Sequence, residues 1–149
     1  MGFFSDLLRA CKVYGDEGRF EIQRLGIAVP LYGANNIDDA QRIVDKQNSA
    51  VLLRWATQMV IADHSSQKFS RLKHVRVGDM AFIENKDGKR RPFQCVKTQV
   101  GHIRTENGVN KLYDANWQKV SQRKGILTVY SCLGKSAPNV MDVTLTYWI

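Results

Sequence analysis

Two side chains in this sequence are of the types needed for nucleophilic acyl transfer. Cys132 closes the β-rich run Ile126-Leu127-Thr128-Val129-Tyr130-Ser131, and His64 follows the apolar run Val60-Ile61-Ala62 and Asp63. A thiol attacks a carbonyl as its thiolate. With an ordinary pKa of about 8.5 it is mostly protonated at neutral pH, so it needs an imidazole to poise it and to carry the proton. The oxyanion formed in the attack needs a hydrogen-bond donor facing it. Cys132 and His64 each follow a predicted strand, and if those strands are neighbours in one barrel their ends lie at the same rim. The residues alone leave a plainer reading open, in which Cys132 is a buried small apolar side chain.

The other cysteines and histidines read as structural. Cys11 sits on an apolar helical stripe and Cys95 alternates within a predicted strand, so both are packed thiols. His74 stands in a basic stretch before Arg76, and His102 follows Gly101 in a polar, turn-prone region; both are expected to face solvent. The three cysteines are too few for a disulfide-framed miniprotein, and their odd number leaves a thiol free. No Cys-x2-Cys or His-x3-His pair occurs, so neither a metal site nor a cofactor is expected.

The elements that must position these groups follow from periodicity. Phe4, Leu7, Leu8 and Cys11 recur at helical spacing, predicting an amphipathic helix over residues 3–14 that packs on its own domain. Residues 20–31 predict one or two short strands, with Pro30 at a strand end or edge. Ile37, Ala40, Ile43 and Val44 predict a short helix capped by Asn36 or Asp38 and closed by the polar run 46–49. Residues 50–55 and 58–62 are of strand length. Phe69, Leu72 and Val75, at every third residue, predict a turn of helix delivered into Gly78-Asp79. A strand at 80–84 is joined through Asn85-Lys86-Asp87-Gly88 to one at 92–98. Residues 126–132 and 140–149 form neighbouring strands joined by 133–139. The sum, about seven or eight strands with two or three short helices and no βαβ rhythm, predicts a mainly β protein built as a closed or nearly closed barrel. Residues 1–19 form the helix and linker, and 20–149 the barrel domain.

Composition fits this reading. The 149 residues are 44% hydrophobic and 24% charged, enough apolar material for a core and unlike a disordered chain. Lys+Arg 22 against Asp+Glu 14 gives a net charge of +8, which suits an anionic neighbour. Basic clusters at 86–91 and 119–124 support a rival class, a nucleic-acid-binding β-barrel, with Phe93 and Trp117 nearby but no RNP-like run. No stretch approaches the roughly 18 apolar residues of a membrane span, and the N-terminus lacks a signal-peptide pattern, so a soluble chain is expected.

Four stretches, in order, resemble the sortases, the bacterial cysteine transpeptidases that attach surface proteins to the cell wall or build pili. Gly26-Ile27-Ala28-Val29-Pro30-Leu31-Tyr32-Gly33 is similar to an early strand of that family. Val60-Ile61-Ala62-Asp63-His64, followed by Phe69, Leu72, Val75 and Gly78-Asp79, resembles its histidine segment. Residues 126–132 resemble the strand carrying its nucleophile, with Ser131 where threonine is usual, and 139–149 its terminal strand. The likeness spans roughly residues 20 to 149.

The resemblance implies a sortase-like barrel in which Cys132 is the nucleophile that cleaves a peptide sorting signal and holds its acyl part as a thioester. His64 would protonate the leaving amine and later deprotonate the incoming one. The partners implied are a surface protein's sorting signal and an amine acceptor of cell-wall or pilin origin, at the cell surface. Three departures matter. Asn139 stands approximately where the family has its oxyanion-stabilising arginine; its amide can donate but lacks the charge, which Lys135, Arg54 or Arg71 could supply. Asp63 stands where glycine is frequent, and reads as a solvent-facing or turn-capping carboxylate. No membrane anchor is present in the chain, so it reads as a trimmed domain or a soluble relative. The alternative function is a noncatalytic, or weakly active, sortase-fold peptide-binding module.

Overall fold

Alternation of apolar and polar residues builds strands with one face inward, as in Phe20/Ile22, Ala81/Ile83 and Phe93/Cys95, all buried. The computed structural model describes residues 18–34, 50–55, 58–63, 67–84, 87–120 and 126–149. The helices expected over 3–14 and after Asn36, together with His64 and Cys11, lie outside these residues. The strands are β1 (Gly18–Ile22), β2 (Ile27–Ala34), β3 (Ala50–Trp55), β4 (Gln58–Asp63), β5 (Met80–Glu84), β6 (Arg90–Glu106), β7 (Val109–Tyr113), β8 (Leu127–Ala137) and β9 (Val140–Trp148). Their order is β5-β1-β2-β3-β4-β8-β9-β6-β7, and β5 also pairs with β6, so the sheet curls back on itself. The protein is mainly β and its sheet curls into a barrel-like form, as the sequence predicts.

Nine strands are present among the described residues, one or two more than expected. The difference lies in β6, which runs on to Glu106 and turns at Asn107-Gly108 into β7, pairing Glu106 with Val109. Pro30 lies inside β2 rather than at its end. It is paired with Arg19 of β1, whereas β3 joins the other side of β2 from Leu31 onward, so on that side Pro30 precedes the pairing.

Two short 3-10 helices, η1 (Gln23–Leu25) and η2 (Gln67–His74), are described. With about three residues per turn, the every-third-residue spacing in η2 puts Phe69, Leu72 and then Val75 on one side. All three are buried in the main core with Phe20, Ile61, Leu127, Val129 and Trp148, and the Phe69 and Phe20 rings are 6.0 Å apart.

Buried polar groups in this core are tied across strands. Thr146 Oγ1 donates to the Val129 carbonyl at 2.7 Å and accepts the Trp148 indole N–H at 2.8 Å, locking β9 to β8. Thr146→Val keeps the shape but strands the indole N–H. It is expected to lower unfolding free energy by about 1–3 kcal/mol in denaturant titration, whereas Thr146→Ser retains most of the stability.

A charged clamp joins η1 to the start of β5. Arg24 Nε and Nη2 donate to the two Asp79 carboxylate oxygens, both at 2.7 Å, and the Arg76 backbone N–H donates to Asp79 at 2.8 Å. The hydrogen-bonded guanidinium of Arg24 holds the Asp79 carboxyl below its usual pKa. The folded state therefore favours the carboxylate. Its stabilisation is fully present above the unfolded value of about 3.9 and is lost as pH falls through the lowered folded value. Asp79→Asn is expected to reduce the dependence of thermal midpoint on pH below about pH 4, measured by acid-titrated melting.

Candidate active site

Cys132 is held on β8 between a parallel neighbour, β4, and an antiparallel one, β9. Along β8, Leu127 and Val129 point into the main core. Tyr130 and Cys132 therefore lie on the opposite face, registered with Leu145 and Val143 of β9. That face carries a second apolar layer, with Leu112, Val120, Tyr130, Val143 and Leu145 buried. Gly101 completes the Cys132–Val143 row on β6, and a side chain there would meet the Tyr113 carbonyl at 2.7 Å, so the chain leaving β7 presses directly on the sheet. Immediately beyond Cys132 the β8–β9 register slips, leaving Leu133 as an extra residue that is largely exposed. Such a bulge bends the strand and re-aims side chains where regular pairing stops.

The Cys132 thiol is half-buried, and burial pushes its pKa up. No cation among the described residues opposes that shift, so these residues alone leave the thiol protonated. Tyr130 beside it is buried and its hydroxyl pKa is also raised, by burial first and then by Cys132. Ser131 points the other way; it is buried, and its Oγ has no hydrogen-bond partner among the described residues.

His64 lies outside the described residues. The strand that leads to it does not: β4 runs parallel to β8, and its last residue, Asp63, is registered with Ser131. The C-terminal end of β4 thus reaches the level of Cys132. The structure does not bring Asn139 to that level. Asn139 occupies the two-residue loop Pro138-Asn139 with φ 61°, and its carbonyl accepts the Thr105 N–H at 2.9 Å. Between it and Cys132, β8 continues to Ala137, on the order of 16 Å of extended chain. Lys135 lies on this extension, exposed and paired with Met141. Arg71 is engaged elsewhere, donating to the Leu25 carbonyl at 3.2 Å, and the Arg54 side chain is outside the description.

Cys95 is buried in the main core and its thiol pKa is raised by burial, in keeping with a packed thiol. His74 is exposed as expected. His102 is not: its side chain is 17% exposed, and its Nδ1 lies 2.7 Å from Asp142 Oδ1. Its ring stacks on Trp117 at 4.1 Å, and Ser136 Oγ donates to the same Asp142 oxygen at 2.9 Å. The partial burial of His102, where the sequence predicts a solvent-facing position, has a simple cause. Residues 101–106 form a strand rather than a turn, and the Asn107-Gly108 pair is the hairpin signal that marks it. Within the first basic cluster, Arg90 pairs with Glu21 at 2.9 Å and lies over the Phe82 ring, and Arg91 lies over Phe93.

No protein-family model matches the sequence, and no curated protein does. Solved structures share its fold. The pilus-related sortase C of Group B Streptococcus is 19% identical with a TM-score of 0.59, over 95% of this chain and 71% of that one. Sortase A from Corynebacterium diphtheriae, in a lid-mutant form, is 13% identical with a TM-score of 0.61, over 99% and 78%. Sortase C from Clostridium perfringens SM101 is 14% identical with a TM-score of 0.53, over 88% and 68%. At these identities the likeness is one of fold. Among the described residues no helix is long and apolar enough to cross a membrane.

Two outcomes are expected from this geometry. A thiol-alkylating reagent under native conditions should modify Cys132 before Cys95, read by peptide mass spectrometry, because Cys95 is 1% exposed and Cys132 is partly open. Ser131→Ala removes a buried hydroxyl that forms no bond among the described residues, so its thermal midpoint should equal or exceed that of the parent.

Proposed function

We propose, with the sortase fold as premise, that the chain is a cysteine transpeptidase in which Cys132 and His64 are the catalytic pair. The observation that carries this reading is the parallel register of β4 and β8. Asp63, the residue before His64 in sequence, stands opposite Ser131, the residue before Cys132. The half-open thiol and the bulge beside it also support the reading, since they leave room for an extended peptide along the rim. The substrate class is a peptide sorting signal of a surface protein, and the acceptor an amine of cell-wall or pilin type, at the cell surface.

The chemistry follows from the thiol's protonation. Burial disfavours the thiolate, so His64 takes the proton as the Cys132 sulfur attacks the scissile carbonyl, and the imidazolium then protonates the departing amine. The acyl group remains as a thioester. An incoming amine, losing its proton to His64, attacks the thioester carbonyl and returns the thiol. Water in place of the amine gives hydrolysis.

The oxyanion donor expected at Asn139 works in this scheme only if the β8–β9 hairpin bends over the bound peptide. Asn139→Ala would then cost about 10² to 10³ in turnover. Turnover within about threefold would move the role to another donor, with Lys135 on the same strand the next to vary.

The deciding experiment is intact-mass detection of an acyl adduct after mixing the protein with a peptide library and an amine acceptor. The parent should form the adduct, Cys132→Ala should form none, and His64→Ala should form it about 10² to 10⁴ more slowly. An adduct that survives in Cys132→Ala overturns the proposal. The raised thiol pKa and the asparagine in the arginine's place favour a second reading, a module that binds the same peptides without cleaving them. Saturable peptide binding by the parent with no adduct would select it.

A further inference from the structure

We propose that the hollow between η1 and the C-terminal end of η2 is a binding site for a phosphate-type oxyanion, separate from Cys132. The cavity has a volume of about 660 Å³ and is lined by Arg24, Arg71, Lys73, His74 and Arg76. That volume lies within the roughly 300–1,000 Å³ of small-ligand sites. Four permanent cations thus face one concavity. The one carboxylate described against them is Asp79, and both its oxygens are taken by Arg24 and the Arg76 backbone N–H. Among the described residues, the Arg71, Lys73 and Arg76 side chains make no hydrogen bond or ion pair with a carboxylate.

Cations on a free surface spread into solvent. Here two of them are fixed. Arg24 Nη2 donates to the His74 carbonyl at 2.7 Å as well as to Asp79, and Arg71 Nη1 donates to the Leu25 carbonyl at 3.2 Å. Gly26 makes the second contact possible: it turns with φ 65°, and a Cβ there would stand 2.8 Å from Arg71 Nη1. The backbone of η1 is therefore shaped to seat a guanidinium on the wall of the hollow, which lowers the ordering cost of binding. A monocarboxylate offers one charge and two oxygens. A phosphate group offers about −1.5 to −2 charge and three acceptor oxygens, the better match to Arg71 and Lys73, which have no carboxylate partner among the described residues, and to Arg76, which feels the charge of Asp79 without an ion pair to it.

The test uses the full chain at constant ionic strength, with inorganic phosphate and pyrophosphate as soluble probes in calorimetry, and phosphatidic acid vesicles in a flotation assay. Lys73→Gln/Arg76→Gln removes two exposed cations of the hollow, and Lys97→Gln/Lys119→Gln removes the same charge from exposed positions elsewhere. The parent should bind a phosphate probe saturably. The hollow variant should bind about tenfold or more weakly and the control within about twofold, with unchanged thermal midpoints in the absence of probe. Loss confined to pyrophosphate or phosphate assigns a soluble ligand, and loss of vesicle flotation assigns a lipid headgroup. The proposal is overturned if chloride at matched ionic strength gives the same response, if none of the three probes binds, or if the control pair loses as much affinity as the hollow pair.

Discussion

The structure depends on one pairing that the chain can make only through long-range closure, the parallel alignment of β4 with β8. Parallel neighbours cannot be joined by a tight turn. Here β5, β6 and β7 intervene in sequence between the two strands, and the ring of pairings through β9, β6, β5, β1, β2 and β3 brings them side by side. Parallel direction makes both strands run toward one rim, so the chain leaving Asp63 and the chain leaving Ser131 emerge at the same end. An antiparallel pairing would have sent them to opposite ends. The proposed chemistry rests on this direction before it rests on any side chain.

Holding that register requires β8 to be gripped from both faces. Leu127 and Val129 are buried in the main core, while Tyr130, with Val143 and Leu145 opposite, is buried in the second layer. Because successive side chains alternate, slipping β8 by one residue would exchange the two sets and place Ser131 and Thr128 where Cys132 and Val129 now stand. The Thr146 hydroxyl, bridging the Val129 carbonyl and the Trp148 indole, adds a directional lock that apolar packing alone lacks. The double grip ends at Cys132. Beyond it, β8 carries exposed residues to the turn and the register slips.

Much of this architecture is legible in the residues. The strands β3, β4 and β5 match their predicted ranges closely, because short apolar runs bounded by polar turns leave little choice of element. The triplet Phe69, Leu72 and Val75 announces a turn of helix, and its three-residue spacing is the period of the 3-10 helix found there. Where residue patterns fall short, the information is nonlocal. His102 stands between Gly101 and Ile103, and nothing adjacent in sequence reveals that Asp142 and Trp117 will cover it. The resemblance sets Asn139 against an arginine only by its place before the last strand. Its distance from Cys132 depends on how far β8 and β9 zip together, which sequence spacing does not encode. The pairing of β4 with β8 is likewise only a condition at the level of sequence, because parallel neighbours leave no turn signature.

The burial that raises the Cys132 pKa looks at first like an argument against catalysis, since it suppresses the thiolate. The same enclosure has a second consequence. In the proposed reaction a thioester must outlast water until an amine arrives, and a half-buried sulfur on the same face as buried Tyr130 presents fewer directions to solvent than one on an open strand. Low polarity also strengthens any hydrogen bond or ion pair formed with an imidazole at the rim. A thiol that is inert alone and reactive only beside its base is thereby protected from adventitious oxidation, which tracks thiolate character and exposure. For the transpeptidase reading, then, the raised pKa and the selectivity for amine over water come from the same packed second layer, and loosening that layer would lose the second while gaining little on the first.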